Sequence, residues 1–125
     1  MTSISRKRAA VSFLRLVSSG RVREAYDQYV EPGFRHHNPY FPGNAASLMA
    51  GMEENAARYP DKVFEPLRAL EDGDLVAVHS RVRLKPGEPE LALVHIFRFA
   101  GDRVAEIWDL GQPVPQDSPN ENGMF

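Results

Sequence analysis

The chain has no cysteine, which excludes a disulfide framework, a thiol nucleophile and a zinc–thiolate centre together. Neither sign of charge is in excess. Fifteen Lys and Arg stand against 17 Asp and Glu for a net charge of -2, so no field gathers phosphate backbones and nucleic acid is not an expected partner. Long apolar runs are missing too: none approaches the ~20 residues of a spanning helix. Arg15, Arg21 and Arg23 interrupt the apolar stretch that follows Arg6, Lys7 and Arg8, so the N-terminal segment reads as a first helix and not a secretion signal. The expectation is a cytoplasmic protein with no membrane partner. Glycine-rich phosphate loops, internal repeats and a helical His pair at metal spacing are likewise absent. What is present is 125 residues, 42% hydrophobic and 26% charged, enough for a single domain whose core needs no covalent staple.

Periodicity divides the chain in two. Ala10, Phe13, Leu14 and Val17 recur at helical spacing before Gly20, and Val22, Ala25, Tyr26, Tyr29 and Val30 repeat it until Pro32. A third helix starts at the N-cap Asn44, carries Leu48, Met49, Met52 and Ala56 on one side, and stops at Pro60. Gly51 interrupts its propensity. After Pro60 the period falls to two: Val63 to Leu70, Leu75 to Leu84, Leu91 to Phe99 and Val104 to Leu110 are joined by turn-forming segments. Pro66 marks its strand as an edge or a bulge. Helices followed by a meander predict an α+β fold in residues 1–111, with residues 112–125, which hold three prolines, as an extended tail. Met124 and Phe125 at its end predict docking, at a dimer seam or at a pocket mouth.

The hairpin from Leu93 to Gln112 is the most informative segment. A three-residue loop Gly101-Asp102-Arg103 sets Arg98 opposite Glu106, Ile96 opposite Trp108 and Val94 opposite Leu110 on one face. The other face then pairs Phe99 with Ala105, Phe97 with Ile107 and His95 with Asp109. A two-residue loop would shift the register and separate His95 from Asp109, so charge pairing selects the first. An Asp opposed to a His on an apolar sheet face forms an acid/base pair or a structural hydrogen bond; in a dry pocket the carboxylate would be the stronger base. Val94, Ile96 and Trp108 form a second apolar face that three helices cannot also cover, which predicts a homodimer through the sheet with Trp108 as an anchor.

His95-Ile96-Phe97-Arg98-Phe99 followed by Gly101-Asp102-Arg103-Val104-Ala105-Glu106-Ile107-Trp108-Asp109 resembles the C-terminal hairpin of the SnoaL-like polyketide cyclases, members of the nuclear transport factor 2-like superfamily. Those cyclases carry an acid/base His and Asp fourteen positions apart, as His95 and Asp109 are here, and an Asn-Pro like Asn38-Pro39 in the pocket wall. The chain is also similar to a SnoaL-like subgroup of predicted aldol-condensation proteins through His37-Asn38-Pro39, the segment Gly73 to His79, Trp108 to Gln112 and the Met124-Phe125 end. That subgroup has Asp in place of His95 and His in place of Ile107. The resemblance implies a cone-shaped, curved antiparallel sheet of four or more strands wrapped around the N-terminal helices.

Together these readings predict a cofactor-independent enzyme of intramolecular aldol condensation or related enolisation, of cyclase, lyase or isomerase type, acting on a small apolar carbonyl compound. Asp109 is the expected base, and His95 protonates or orients. His37, Asn38, His79, Tyr26, Tyr40, Phe97 and Ile107 are the candidate pocket residues, and no cofactor or metal is expected. Each has a plainer role open to it: Asn38-Pro39 as turn chemistry, the tyrosines as core, His79 on a polar face with Arg81 and Arg83. His36 is expected to face solvent. A non-catalytic ligand-binding module of the same fold is the alternative; epoxide hydrolysis is a more distant one, since no strand carries Arg-x-Asp.

Overall fold

A computed structural model describes residues 5–125. Helix α1 (Arg6–Ser18) is capped by the Ser5 hydroxyl, which accepts from the Arg8 amide. It ends in a Schellman turn: Gly20, at φ 89°, donates to Val17 O, and Arg21 donates to Leu16 O. Helix α2 (Val22–Tyr29) follows, then strand β1 (Val30–His37), helix α3 (Ala45–Arg58, with Asn44 as N-cap) and strands β2 (Val63–Asp72), β3 (Leu75–Arg83), β4 (Leu91–Ala100) and β5 (Arg103–Pro113). Among the described residues no helix is long and apolar enough to cross a membrane.

Strand β1 is the element that the sequence pattern does not announce. The helical spacing continues to Pro32, yet α2 stops at Tyr29 and the chain turns extended at Val30. Pro32 and Gly33 are tolerated because β1 is an edge strand, and its register against β5 shifts between Val30 and Arg35, where they lie.

The sheet has the order β1-β5-β4-β3-β2, antiparallel from β2 to β5, with β1 parallel to β5. The expected antiparallel cone is therefore corrected. The sheet is mixed because β1 joins it in parallel, and it is open because β1 and β2 remain two separate edges: it neither closes nor curls around the helices, which pack on one face. Pro66 combines both of its expected roles, lying on edge strand β2 beside a register shift.

The β4–β5 register pairs His95 with Asp109, Ile96 with Trp108, Phe97 with Ile107 and Arg98 with Glu106, as expected. The loop does not follow the expected form. Ala100 pairs with Arg103, so the turn has two residues, with Gly101 at φ 63°, and Phe99 pairs with Val104, not Ala105. A bulge between Arg98 and Phe99 absorbs the difference, restoring beyond it the register that a three-residue loop would have given.

Alternation sends Val76, Val78, Ser80 and Val82 of β3, and His95, Phe97 and Ile107 beside them, toward the helices. Phe97 and Phe13 meet edge to face at 6.0 Å, Phe13 meets Tyr26 at 5.4 Å, and Tyr26 meets Phe34 at 5.7 Å. These rings form the centre of the core. On the outer face the tail returns: Val114 donates to Glu90 O, and the Phe125 ring lies 6.1 Å from the His79 ring with the Arg81 guanidinium 4.8 Å above it. The tail thus reaches the outer face of β3, not the pocket mouth.

Candidate active site

Three elements bring three polar side chains to one end of an apolar cavity. β5 supplies Asp109, β4 supplies His95 in the directly opposed position, and the turn after β1 supplies Asn38. Asp109 Oδ1 lies 3.2 Å from His95 Nε2, and Oδ2 accepts from Asn38 Nδ2 at 2.8 Å. Asn38 is itself fixed: its Oδ1 accepts from the Tyr40 amide and its own amide donates to His36 Nδ1 at 3.0 Å. Since that nitrogen accepts, His36 Nε2 carries the proton and donates to Pro42 O at 2.7 Å. Buried His36, bonded to both the Asn38 amide and Pro42 O, therefore holds the turn that aims Asn38.

The carboxyl of Asp109 feels opposing forces. Burial pushes its pKa up, but the hydrogen bond and charge of His95 and the hydrogen bond of Asn38 together pull it below the ordinary value. The expectation of a strengthened base is corrected accordingly: two donors outweigh the dry surroundings, so Asp109 is ionised at neutral pH and is a weaker base than a free carboxylate. His95 directs Nε2 at that carboxylate, while its Nδ1, like the hydroxyl of Ser80 on the same face, is buried with no partner among the described residues.

The cavity has a volume of about 420 Å³. Its walls are apolar, from Leu14 and Val17 of α1, Leu48 and Met52 of α3, and Leu91 and Leu93 of β4. Tyr40 and Phe41 stand at its rim. Gly51 of α3 has a local reason: a Cβ there would lie 2.4 Å from Phe41 Cε1, so the bare backbone admits the ring against the helix. Gly111 does the same for Leu93, whose Cδ2 lies 2.3 Å from where a Cβ would stand.

Of the candidate residues, Asp109, His95, Asn38 and Tyr40 line this cavity. Tyr26, Phe97 and Ile107 lie behind it as buried core. The Tyr26 hydroxyl donates to Met52 Sδ at 3.4 Å, and burial, reinforced by the Asp109 charge, raises its pKa far above the usual phenol value. His37 and His79 are on the outer face and do not reach the cavity. His79 contacts Arg68 and Phe125. His37 stacks on Trp108 at 5.0 Å, and its Nε2 lies 2.6 Å from Glu106 Oε2. The expected roles of His36 and His37 are thus reversed, because β1 pairs His36 with Ile107 on the inner face and so fixes the phase of alternation. Sequence reasoning also missed Lys62 and Asn55, which line the cavity; in sequence, a lysine after a helix stop looks like any solvated one. Among the described residues no group of three or more His, Cys, Asp or Glu is placed to hold a metal.

Outside the cavity, Glu106 is covered by the side chains of Arg35, Arg98 and His37, not by the core. The His37 hydrogen bond, against the opposing effect of burial, and those of Arg98 and Arg35 hold its pKa at about 2. A depressed pKa means that the unfolded chain binds more protons, so this contribution is complete above the ordinary carboxylate value of 4.5 and is lost as pH falls toward about 2. Urea midpoints measured from about pH 5 downward should therefore fall more steeply for the wild type than for Glu106→Gln; parallel curves would refute this.

A family model described as the SnoaL-like domain matches residues 10–107. The chain is similar in structure to IdmH, a candidate polyketide cyclase from Streptomyces antibioticus (TM-score 0.72, 16% identity, covering 87% of this chain and 93% of that one). It is also similar to AclR, a candidate hydroxylase from Streptomyces galilaeus (TM-score 0.70, 19% identity, 86% and 88%), and to a candidate polyketide cyclase from Acidithiobacillus ferrooxidans (TM-score 0.68, 23% identity, 90% and 92%). At these identities the likeness shows the fold. No curated protein matches the chain. With a family model spanning most of its length and a buried His–Asp pair suited to acid–base chemistry, the chain belongs to the SnoaL-like family, within the nuclear transport factor 2-like superfamily.

Proposed function

We propose that this protein is a cofactor-independent acid–base enzyme that enolises a carbonyl compound and closes a ring by intramolecular aldol addition. The observation that carries the reading is Asp109, ionised at the end of an apolar cavity with one donor on each oxygen. Each carboxylate oxygen has two lone-pair directions, so both keep one free for a substrate proton. A carboxylate weakened by two donors suits only a readily ionised C–H, which selects a carbon flanked by two carbonyls. Asp109 takes that proton, and the enolate carbon attacks a second carbonyl of the same molecule to form the new C–C bond. The resulting alkoxide takes the proton back, through His95 or from Asp109, so no proton is gained or lost overall. The apolar walls fold the chain of the substrate and exclude water.

Deuterium exchange at the central methylene of a 1,3-dicarbonyl compound, followed by proton NMR, tests this reading. Exchange accelerated in proportion to enzyme concentration is expected; a rate equal to that of buffer overturns it.

We further propose that two copies pair through the outer sheet face. Val94, Ile96 and Trp108 form a continuous apolar strip there with Leu110, which is 56% exposed. Sedimentation at micromolar concentration reads the outcome, and a stable monomer removes the proposal.

A further inference from the structure

The chemistry above leaves one charged group of the cavity without a task. Lys62 follows α3 and precedes the first residue of β2, is half-buried, and lines the cavity together with Asn55 from the last turn of α3. Among the described residues its ammonium meets no carboxylate and no side-chain acceptor, and the Asn55 amide is likewise unengaged. Burial alone acts on Lys62, lowering its pKa, with no protein charge opposing it. The one carboxylate in the cavity, Asp109, is already held by His95 and Asn38. Thus the cavity holds a satisfied anion, an unsatisfied cation and a free amide donor.

The two ends are well separated. Asp109 is level with His95 and, across β4, with Val78, whereas Lys62 precedes Val63, which pairs with Arg83. From Val78 to Arg83 is five residues of strand, about 16 Å at ~3.3 Å per residue. A lysine side chain covers part of that distance, and an apolar spacer must cover the rest.

We propose that Lys62 and Asn55 bind a carboxylate of the substrate, so that the ligand is a carbonyl compound bearing an anionic group separated from its reacting carbon by an apolar segment. This deepens the acid–base reading and rests on it only for the identity of the other end. The ammonium and the amide are both donors lining the same cavity, the chemistry a carboxylate needs. Leu14, Leu91 and Leu93, which line the same cavity, fit a hydrocarbon spacer and not a second charge.

The probes are 6,8-dioxononanoate, whose 1,3-dicarbonyl and carboxylate are joined by four methylenes, and its neutral methyl ester. Binding of each is measured by calorimetric titration, and exchange at the central methylene by NMR. The wild type should bind the carboxylate roughly tenfold more tightly than the ester. Lys62→Met should abolish that preference by weakening the carboxylate alone, and Lys62→Arg should restore most of it. Asp109→Asn should lose exchange and keep the preference. Equal binding of both probes by the wild type, no binding of either at millimolar concentration, or a preference that survives in Lys62→Met would overturn the proposal. Preference without exchange in the wild type would count against the acid–base reading while supporting the anion site.

Discussion

Asp109→Asn should fold as the wild type does and lose turnover by ~10²- to 10⁴-fold. The substitution keeps the shape of the side chain while removing the oxygen that takes the proton. Its neighbours can accept the change. The amide oxygen still receives Asn38 Nδ2, now at 2.8 Å from Oδ2, and the amide N–H can face His95 Nε2 once the ring moves its proton to Nδ1. Asp109→Ala is the harsher variant, since it strands two donors in an apolar wall. His95→Ala should cost less than Asp109→Asn, because a base that has lost one of two donors still accepts a proton. Turnover or methylene exchange by Asp109→Asn at the wild-type rate would remove Asp109 from the chemistry.

The largest stability effect is expected at Phe97. Its ring is fully buried, edge-on to Phe13 at 6.0 Å, with its centre 6.4 Å from that of His95. Phe97→Ala removes the ring and leaves a cavity that rigid strands cannot collapse around, at a cost of about 3 to 5 kcal/mol. Against a total of roughly 5 to 15 kcal/mol for a natural domain, that is a large fraction. Urea unfolding with an unchanged slope and a lowered midpoint measures it; a loss below about 1 kcal/mol would show that the site repacks.

Why some features could be read in the sequence and others could not follows from which interactions set them. The β4–β5 pairing away from the turn was legible because Arg98 and Glu106 mark one row and the rows from Ile96–Trp108 to Leu91–Pro113 follow from it. The bulge beside Phe99 was not, because a two-residue turn plus one extra residue has the same register downstream as a three-residue loop. β1 was hidden because Pro32 and Gly33 break the alternation, and only pairing with β5 makes them a strand. Without β1 the phase of His36 and His37 has no anchor in the sequence, and only its pairing with β5 turns His36 inward and His37 out. Whether the sheet closes is set by its edges and not by local pattern: five strands whose edges, β1 and β2, do not pair with each other have the same alternating sequences as a closed wall. Lys62 and Asn55 become visible as cavity residues only when α3 is laid across the sheet.

Gly51 sets thermal selection and ligand selection against each other. At an interior helical position, Gly→Ala ordinarily stabilises a protein by up to about 1 kcal/mol, so a screen for heat resistance would favour Gly51→Ala. Here the added methyl would meet the Phe41 ring at 2.4 Å. The ring, only partly buried, is free to swing outward, and the rim of the cavity would widen as it did. Variants enriched by heating would therefore carry a reshaped entrance and an altered substrate range, and a library intended to recover the natural ligand should hold this position fixed.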